Sequence, residues 1–118
     1  MSIELVDLAS PLAAESTAPS PDRLVSGSPQ QSVANYFADP SQQFFAGRWT
    51  STRGIWRIRY TENELCVIVS GRVALVSAGG VRREFGPGGA FVVPAGFAGT
   101  WEVLEDCTKL YAMYEPRT

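Results

Sequence analysis

The rhythm of apolar and polar positions changes near residue 43. From there on, short runs rich in Val, Ile, Phe, Tyr, Trp and Thr are cut by glycine and proline. Such runs suit pleated, half-buried strands. The pattern predicts strands near residues 43–50, 54–60, 64–70, 72–78, 81–85, 90–93, 98–104 and 108–114. Gly79-Gly80 predicts a two-residue hairpin, because glycine adopts positive φ freely. Gly71-Arg72 predicts a second tight reversal, Pro87-Gly88-Gly89 a turn, and Glu105-Asp106 the last turn. Pro94-Ala95-Gly96 predicts a strand stop and a change of direction. No helical period is long enough to compete, and no internal repeat is present. Short strands at close spacing predict an all-β antiparallel sandwich or barrel. A jelly roll is the version that places two such blocks on facing strands.

Residues 1–42 read differently. Pro11, Pro19, Pro21, Pro29 and Pro40 punctuate a stretch rich in Ser, Ala and Gln. That composition predicts an extended N-terminal arm, residues 1–42, ahead of a barrel domain, residues 43–118. Ile3 to Leu8 predicts a short strand or one turn of helix, and Val33 to Phe37 a short helical turn before Pro40. The arm holds too little apolar surface to order alone, so it is expected on the barrel or on a second subunit. The strand-rich region has about 75 residues, near the low end for a self-sufficient core. A homodimer is therefore expected.

Charge narrows the partners. The formal net charge is −2, with no long basic run. Arg57 with Arg59, and Arg82 with Arg83, are short clusters on predicted strands and read as solvated faces. Nucleic-acid binding needs several clustered cations and is not expected. Glu4 and Asp7 interrupt the first apolar residues, so no signal peptide is read there. No apolar run reaches membrane-spanning length. Cys66 and Cys107 read as two reduced, structural thiols of a cytoplasmic protein.

Two blocks carry the candidate chemistry. In the first, Glu64 is followed after six residues by Gly71; in the second, Gly88 is followed after five residues by Pro94, and after one more by Gly96. This spacing resembles the two motifs of the cupin superfamily. Further segments resemble small cupins related to the (S)-ureidoglycine aminohydrolase cupin domain. They are Gly47-Arg48-Trp49, Gly54-Ile55-Trp56, Glu62-Asn63-Glu64-Leu65-Cys66, Pro94 to Val103, and Lys109-Leu110-Tyr111. The resemblance covers residues 44–114. It implies a double-stranded β-helix, or jelly-roll cupin barrel, and a dimer. Family members often hold a metal on three histidines and a glutamate. Here the glutamate position is Glu64, while the histidine positions fall on Ile58, Tyr60 and Gly99, or on Arg57 and Arg59 in a shifted register. The chain contains no histidine. Ile58 and Gly99 offer no donor, and Tyr60 is a poor ligand while its phenol is protonated. No metal and no other cofactor is expected.

Strand alternation places Trp56, Ile58, Tyr60, Glu62 and Glu64 on one face, with Cys66 and Ile68. Trp101 and Val103 follow position 99 inward. Trp56, Ile58, Tyr60, Glu62, Glu64 and Trp101 are therefore the candidate ligand-binding set, and Glu64 with Tyr60 the candidate catalytic pair. Aromatic walls with a few polar groups suit a small-molecule pocket. The same side chains also fill small barrels as packing. Glu64 inside an apolar barrel must be protonated, paired or hydrogen-bonded, and Lys109, the only lysine, is the available partner. Three functions stay open. The first is metal-free binding of a small organic molecule. The second is an enzyme acting on a ureido or amino compound, or a sugar epimerase or isomerase, through Glu64 and Tyr60. The third is a structural or partner-binding domain with a filled barrel.

Overall fold

The computed structural model describes residues 2–117. Among the described residues, nine strands run in the order β1 (Glu15–Thr17), β2 (Leu24–Ser26), β3 (Gln31–Ala38), β4 (Phe44–Ser51), β5 (Gly54–Arg59), β6 (Asn63–Ser77), β7 (Arg82–Phe85), β8 (Ala90–Val93) and β9 (Ala98–Tyr114). All pairings are antiparallel. The long strands β6 and β9 pair with each other from Asn63↔Tyr114 to Ser77↔Gly99. Their first and second halves take different neighbours, which folds the sheet into two layers. One layer runs β8, β6, β9, β4, β3, β1, and the other runs β7, β6, β9, β5, β2. This is a jelly roll.

Where β6 crosses between layers, its register against β9 shifts three times. Gly71 lies there with φ +85°, and a Cβ on it would sit 2.3 Å from the Asp106 carbonyl oxygen. Only glycine admits that approach and that backbone. Gly71-Arg72 is therefore a bulge inside one strand and not a tight reversal. Glu105-Asp106 likewise lies within β9 and not at a turn. Both expected turns fail for one reason. Two strands that bend together look, in sequence, like strand–turn–strand. The β6–β7 hairpin forms at the expected place, but its loop is Ala78 to Val81 and not Gly79-Gly80 alone.

Val33 to Phe37 is part of strand β3, not a helical turn. Both faces of β3 are partly covered, so its apolar residues do not alternate cleanly. Val33, Tyr36 and Phe37 then fall at helical spacing by accident. Pairing along β4 decides the conformation. Upstream, β1 pairs β3 and β2 pairs β5. Tyr36 donates its hydroxyl to the Ser10 carbonyl, and Arg48 donates to the Leu8 carbonyl at 2.9 Å.

The core lies between the layers. Cys66, Ile68, Val93 and Cys107 from one side meet Trp56, Val73, Leu75, Trp101 and Val103 from the other. The glycine-bounded strand blocks thus form the two walls of one interior. Among the described residues, no helix is long and apolar enough to cross a membrane.

Candidate functional site

The interior is not filled throughout. A cavity of about 230 Å³ opens between the layers, and all six expected ligand-binding residues line it: Trp56, Ile58, Tyr60, Glu62, Glu64 and Trp101. Each is placed by a simple register. Glu64 points inward with Cys66 and Ile68 on alternate positions of β6. Trp56 on β5 is the direct cross-strand partner of Trp101 on β9, so their rings stack at 6.5 Å and 28°. Tyr60 follows the end of β5, where its N–H and C=O are tied to Phe97 and Gly96.

Strands β3, β4 and β9 close the cavity with residues the motif blocks do not contain. Trp49 stands opposite Lys109, and Lys109 alternates with Tyr111 and Met113 on the inner face. Tyr111 was legible from its i, i+2 spacing to Lys109. Trp49 was not, because only the β4–β9 register brings it inside. Its ring meets Trp101 edge-on at 5.8 Å and Trp56 at 6.1 Å.

A buried charge network crosses this space. Lys109 Nζ donates to Glu64 Oε2 at 3.1 Å, and the Tyr60 hydroxyl donates to Glu64 Oε1 at 2.6 Å. Only 6 % of the Lys109 side chain and 5 % of the Glu64 side chain are exposed. The ammonium also lies 4.4 Å from the Trp101 ring centroid and 4.7 Å from that of Trp49. The faces of both indoles attract a cation. Cys66 Sγ is 3.7 Å from the same nitrogen. Tyr111 donates to Asn35 Oδ1 at 2.6 Å. Among the described residues, one buried side-chain polar atom lacks a partner, the Trp101 indole N–H.

The protonation states follow from burial and neighbours. Burial and the Glu64 charge raise the Tyr60 pKa far above a free phenol's, so Tyr60 keeps its proton. Burial pushes the Cys66 thiol up to about 12 despite the nearby ammonium, so it is no nucleophile near neutrality. Burial, the largest single effect, opposes the charge on Lys109, but Glu64, Cys66 and Cys107 together outweigh it and the pKa stands above its ordinary value. Tyr111 is pushed up to about 12, first by burial and then by Glu64. The site presents donors: an ammonium, two phenols and an indole.

A second cavity, about 280 Å³, lies between β7 and β8. Its walls are Leu75, Val81, Phe85, Phe91 and neighbouring apolar residues, with Arg83 as its charged group. It holds no acid–base pair.

Residues 38–111 match the family of EutQ-like cupin domains. The chain belongs to that family. Its fold is a cupin barrel, and solved structures overlay it. One is a protein of unknown function of the DUF861 family from Pseudomonas syringae pv. tomato. It is 26% identical, with a TM-score of 0.81 over 92% of this chain and 46% of that one. The chain thus spans just under half of that relative's length. The EutQ protein of Clostridium difficile is 17% identical, with a TM-score of 0.67 over 84% of this chain and 80% of that one. Ectoine synthase from P. lautus is 13% identical, with a TM-score of 0.65 over 75% and 66%. No curated protein matches the sequence.

The metal that many cupins carry can be tested against these residues. At the third histidine position, a Cβ on Gly99 would lie 1.9 Å from the Val76 carbonyl oxygen, so no side chain fits. Ile58 has no donor atom. Both Glu64 oxygens are engaged, one by an ammonium. Among the described residues, no three His, Cys, Asp or Glu side chains converge. A transition metal needs several such donors at one point. This cupin site does not fit one.

Proposed function

We propose that this cupin barrel binds a small organic molecule without a metal. The observation that carries the reading is the 230 Å³ cavity bounded by Trp49, Trp56 and Trp101 and crossed by the Tyr60–Glu64–Lys109 chain. Planar apolar walls supply contact area, and a few fixed polar groups supply orientation. The volume lies just below the roughly 300–1,000 Å³ of drug-sized sites, so a small metabolite suits it. Its role would be binding, sensing or an accessory step in small-molecule metabolism, in the cytoplasm. The two buried free thiols support a reducing compartment.

The 2.6 Å Tyr60–Glu64 contact favours a second reading, an enzyme. Such an enzyme would act on a ureido or amino compound, as the sequence resemblance implies, or epimerise or isomerise a sugar. Glu64 and Tyr60 would be its catalytic pair. The high Tyr60 pKa suits it as a hydrogen-bond donor to the substrate and leaves the proton transfer to Glu64.

The proposal includes a homodimer. On the outer face of the first layer, Leu65, Val69 and Val92 are 44%, 50% and 61% exposed, and Val92 stands directly beside Leu65. An uncovered apolar sheet face suits a second copy.

Native mass spectrometry of freshly purified, untagged protein tests both parts. An organic mass excess, absent from Glu64→Gln, supports binding in the barrel. A bare mass favours a filled, structural barrel. Turnover of a candidate compound that Glu64→Gln abolishes would move the reading to the enzyme.

A further inference from the structure

The hydrogen-bond inventory of the cavity is unequal. Glu62 and Gln31 line the cavity but accept from neither Lys109 nor the Trp101 indole. At its centre the acceptors are taken: Glu64 Oε1 receives from Tyr60 and Glu64 Oε2 from Lys109. Its donors are not. The Lys109 ammonium carries three hydrogens, with one carboxylate and one weakly accepting thiol within reach. The Trp101 indole N–H has no partner, although only 1% of Trp101 is exposed. A buried donor without an acceptor is costly, so the surplus points to an acceptor the chain itself does not supply.

Charge narrows that acceptor. Two carboxylates, Glu62 and Glu64, line the cavity with one ammonium, Lys109. An anion would meet that acidic surplus. A cation would compete with Lys109 for the Trp49 and Trp101 faces and for Glu64 oxygens already engaged. An uncharged oxygen acceptor meets neither obstacle. Flat indole walls favour a planar compound around it.

Resting on the binding reading above, we infer that the cavity takes an uncharged, planar carbonyl compound, whose oxygen accepts a hydrogen bond from the Lys109 ammonium. In this barrel Lys109 then supplies the fixed positive charge that a metal supplies in metal-holding cupins. Its partner is the same motif glutamate, Glu64. The ammonium polarises the carbonyl by a charge-assisted hydrogen bond. The indole walls hold the plane of the ligand.

Three ring-matched probes test this: benzamide, benzoate and benzylamine. Binding is followed by the indole N–H resonances of 15N-labelled protein and by tryptophan fluorescence. Benzamide is expected to shift the Trp101 indole N–H and to bind at least about tenfold tighter than either charged probe. Lys109→Met with Glu64→Gln removes both charges together, so neither is left buried alone. That double variant is expected to weaken benzamide about tenfold or more while still melting cooperatively. Benzylamine or benzoate binding as tightly as benzamide overturns the inference, as does unchanged benzamide affinity in the double variant. An organic mass excess in the native spectrum without any benzamide shift overturns the ligand class and leaves the binding reading standing. No shift from any probe, with a bare native mass, overturns both.

Discussion

Lys109→Met offers the sharpest test of the charge network. The substitution keeps an unbranched apolar stem, one atom shorter, and deletes the ammonium. Glu64 is then a carboxylate with 5% of its side chain exposed and no cation beside it. At 3.1 Å and an effective dielectric of about 20, the lost attraction is about 5 kcal/mol. The ammonium's contacts with two indole faces add about 0.5–2 kcal/mol. Relief of the lysine's own desolvation offsets part of this, which brings the expected net loss to about 3–5 kcal/mol. For 118 residues the unfolding entropy is about 0.25 kcal/mol per degree. Tm should therefore fall by about 12–20 °C, measured by circular dichroism or tryptophan fluorescence. Adding Glu64→Gln removes the stranded charge and keeps an acceptor for Tyr60, so at least half of the loss should return. A single variant melting within about 3 °C of the parent would refute the reasoning, because that corresponds to under about 1 kcal/mol. A double variant no more stable than the single one would refute it equally.

Stability should fall steeply at alkaline pH. Cys66 and Cys107 are raised from 9.0 to about 12 and about 11, so the unfolded chain releases those protons first and the native state holds more of them. Their contribution is complete below pH 9 and is lost as pH rises toward about 11 for Cys107 and about 12 for Cys66, at about 1.4 kcal/mol per pH unit for each thiol. The raised Lys109 acts in the same direction above 10.5. Urea unfolding across that range should show the slope, and Cys66→Ala with Cys107→Ala should flatten it between pH 9 and 10, below the range where the raised Tyr60, Tyr111 and Lys109 add their own slope; an unchanged slope there would refute the thiol assignment. Gly99→Ala places a Cβ against the Val76 carbonyl and should cost about 1–3 kcal/mol, with Gly99→His still worse and gaining no metal. Val92→Lys puts a charge on the uncovered sheet face and should shift sedimentation from dimer to monomer without changing Tm of the isolated chain by more than a few degrees. A monomeric parent would refute the dimer outright.

Much of the barrel was legible. Strand positions from 44 onward follow from residue type and punctuation, because Val, Ile, Trp and Tyr fit a pleated surface and glycine and proline break it. With the inward direction of positions 64 and 99 implied by the cupin resemblance, period-two alternation placed Trp56, Ile58, Tyr60, Glu62, Glu64 and Trp101 inside, and all six line the cavity. The misses have a common source. Gly71 and Asp106 carry turn residue types, yet they sit where β6 and β9 bend together across two layers. Val33 to Phe37 lost its strand signal because both of its faces are partly covered.

Alone, the sequence determined that the chain is β-rich, which side chains share a face within each strand, and that histidine ligands are absent. Those properties are local, set by backbone geometry and side-chain type. Only the tertiary structure decided that Lys109 meets Glu64 across 45 positions, that Trp49 joins the indole wall, and that no side chain fits at position 99. Such facts depend on which strands pair and in what register. Alternation fixes a face, but pairing is a long-range choice made by the packing of the whole barrel.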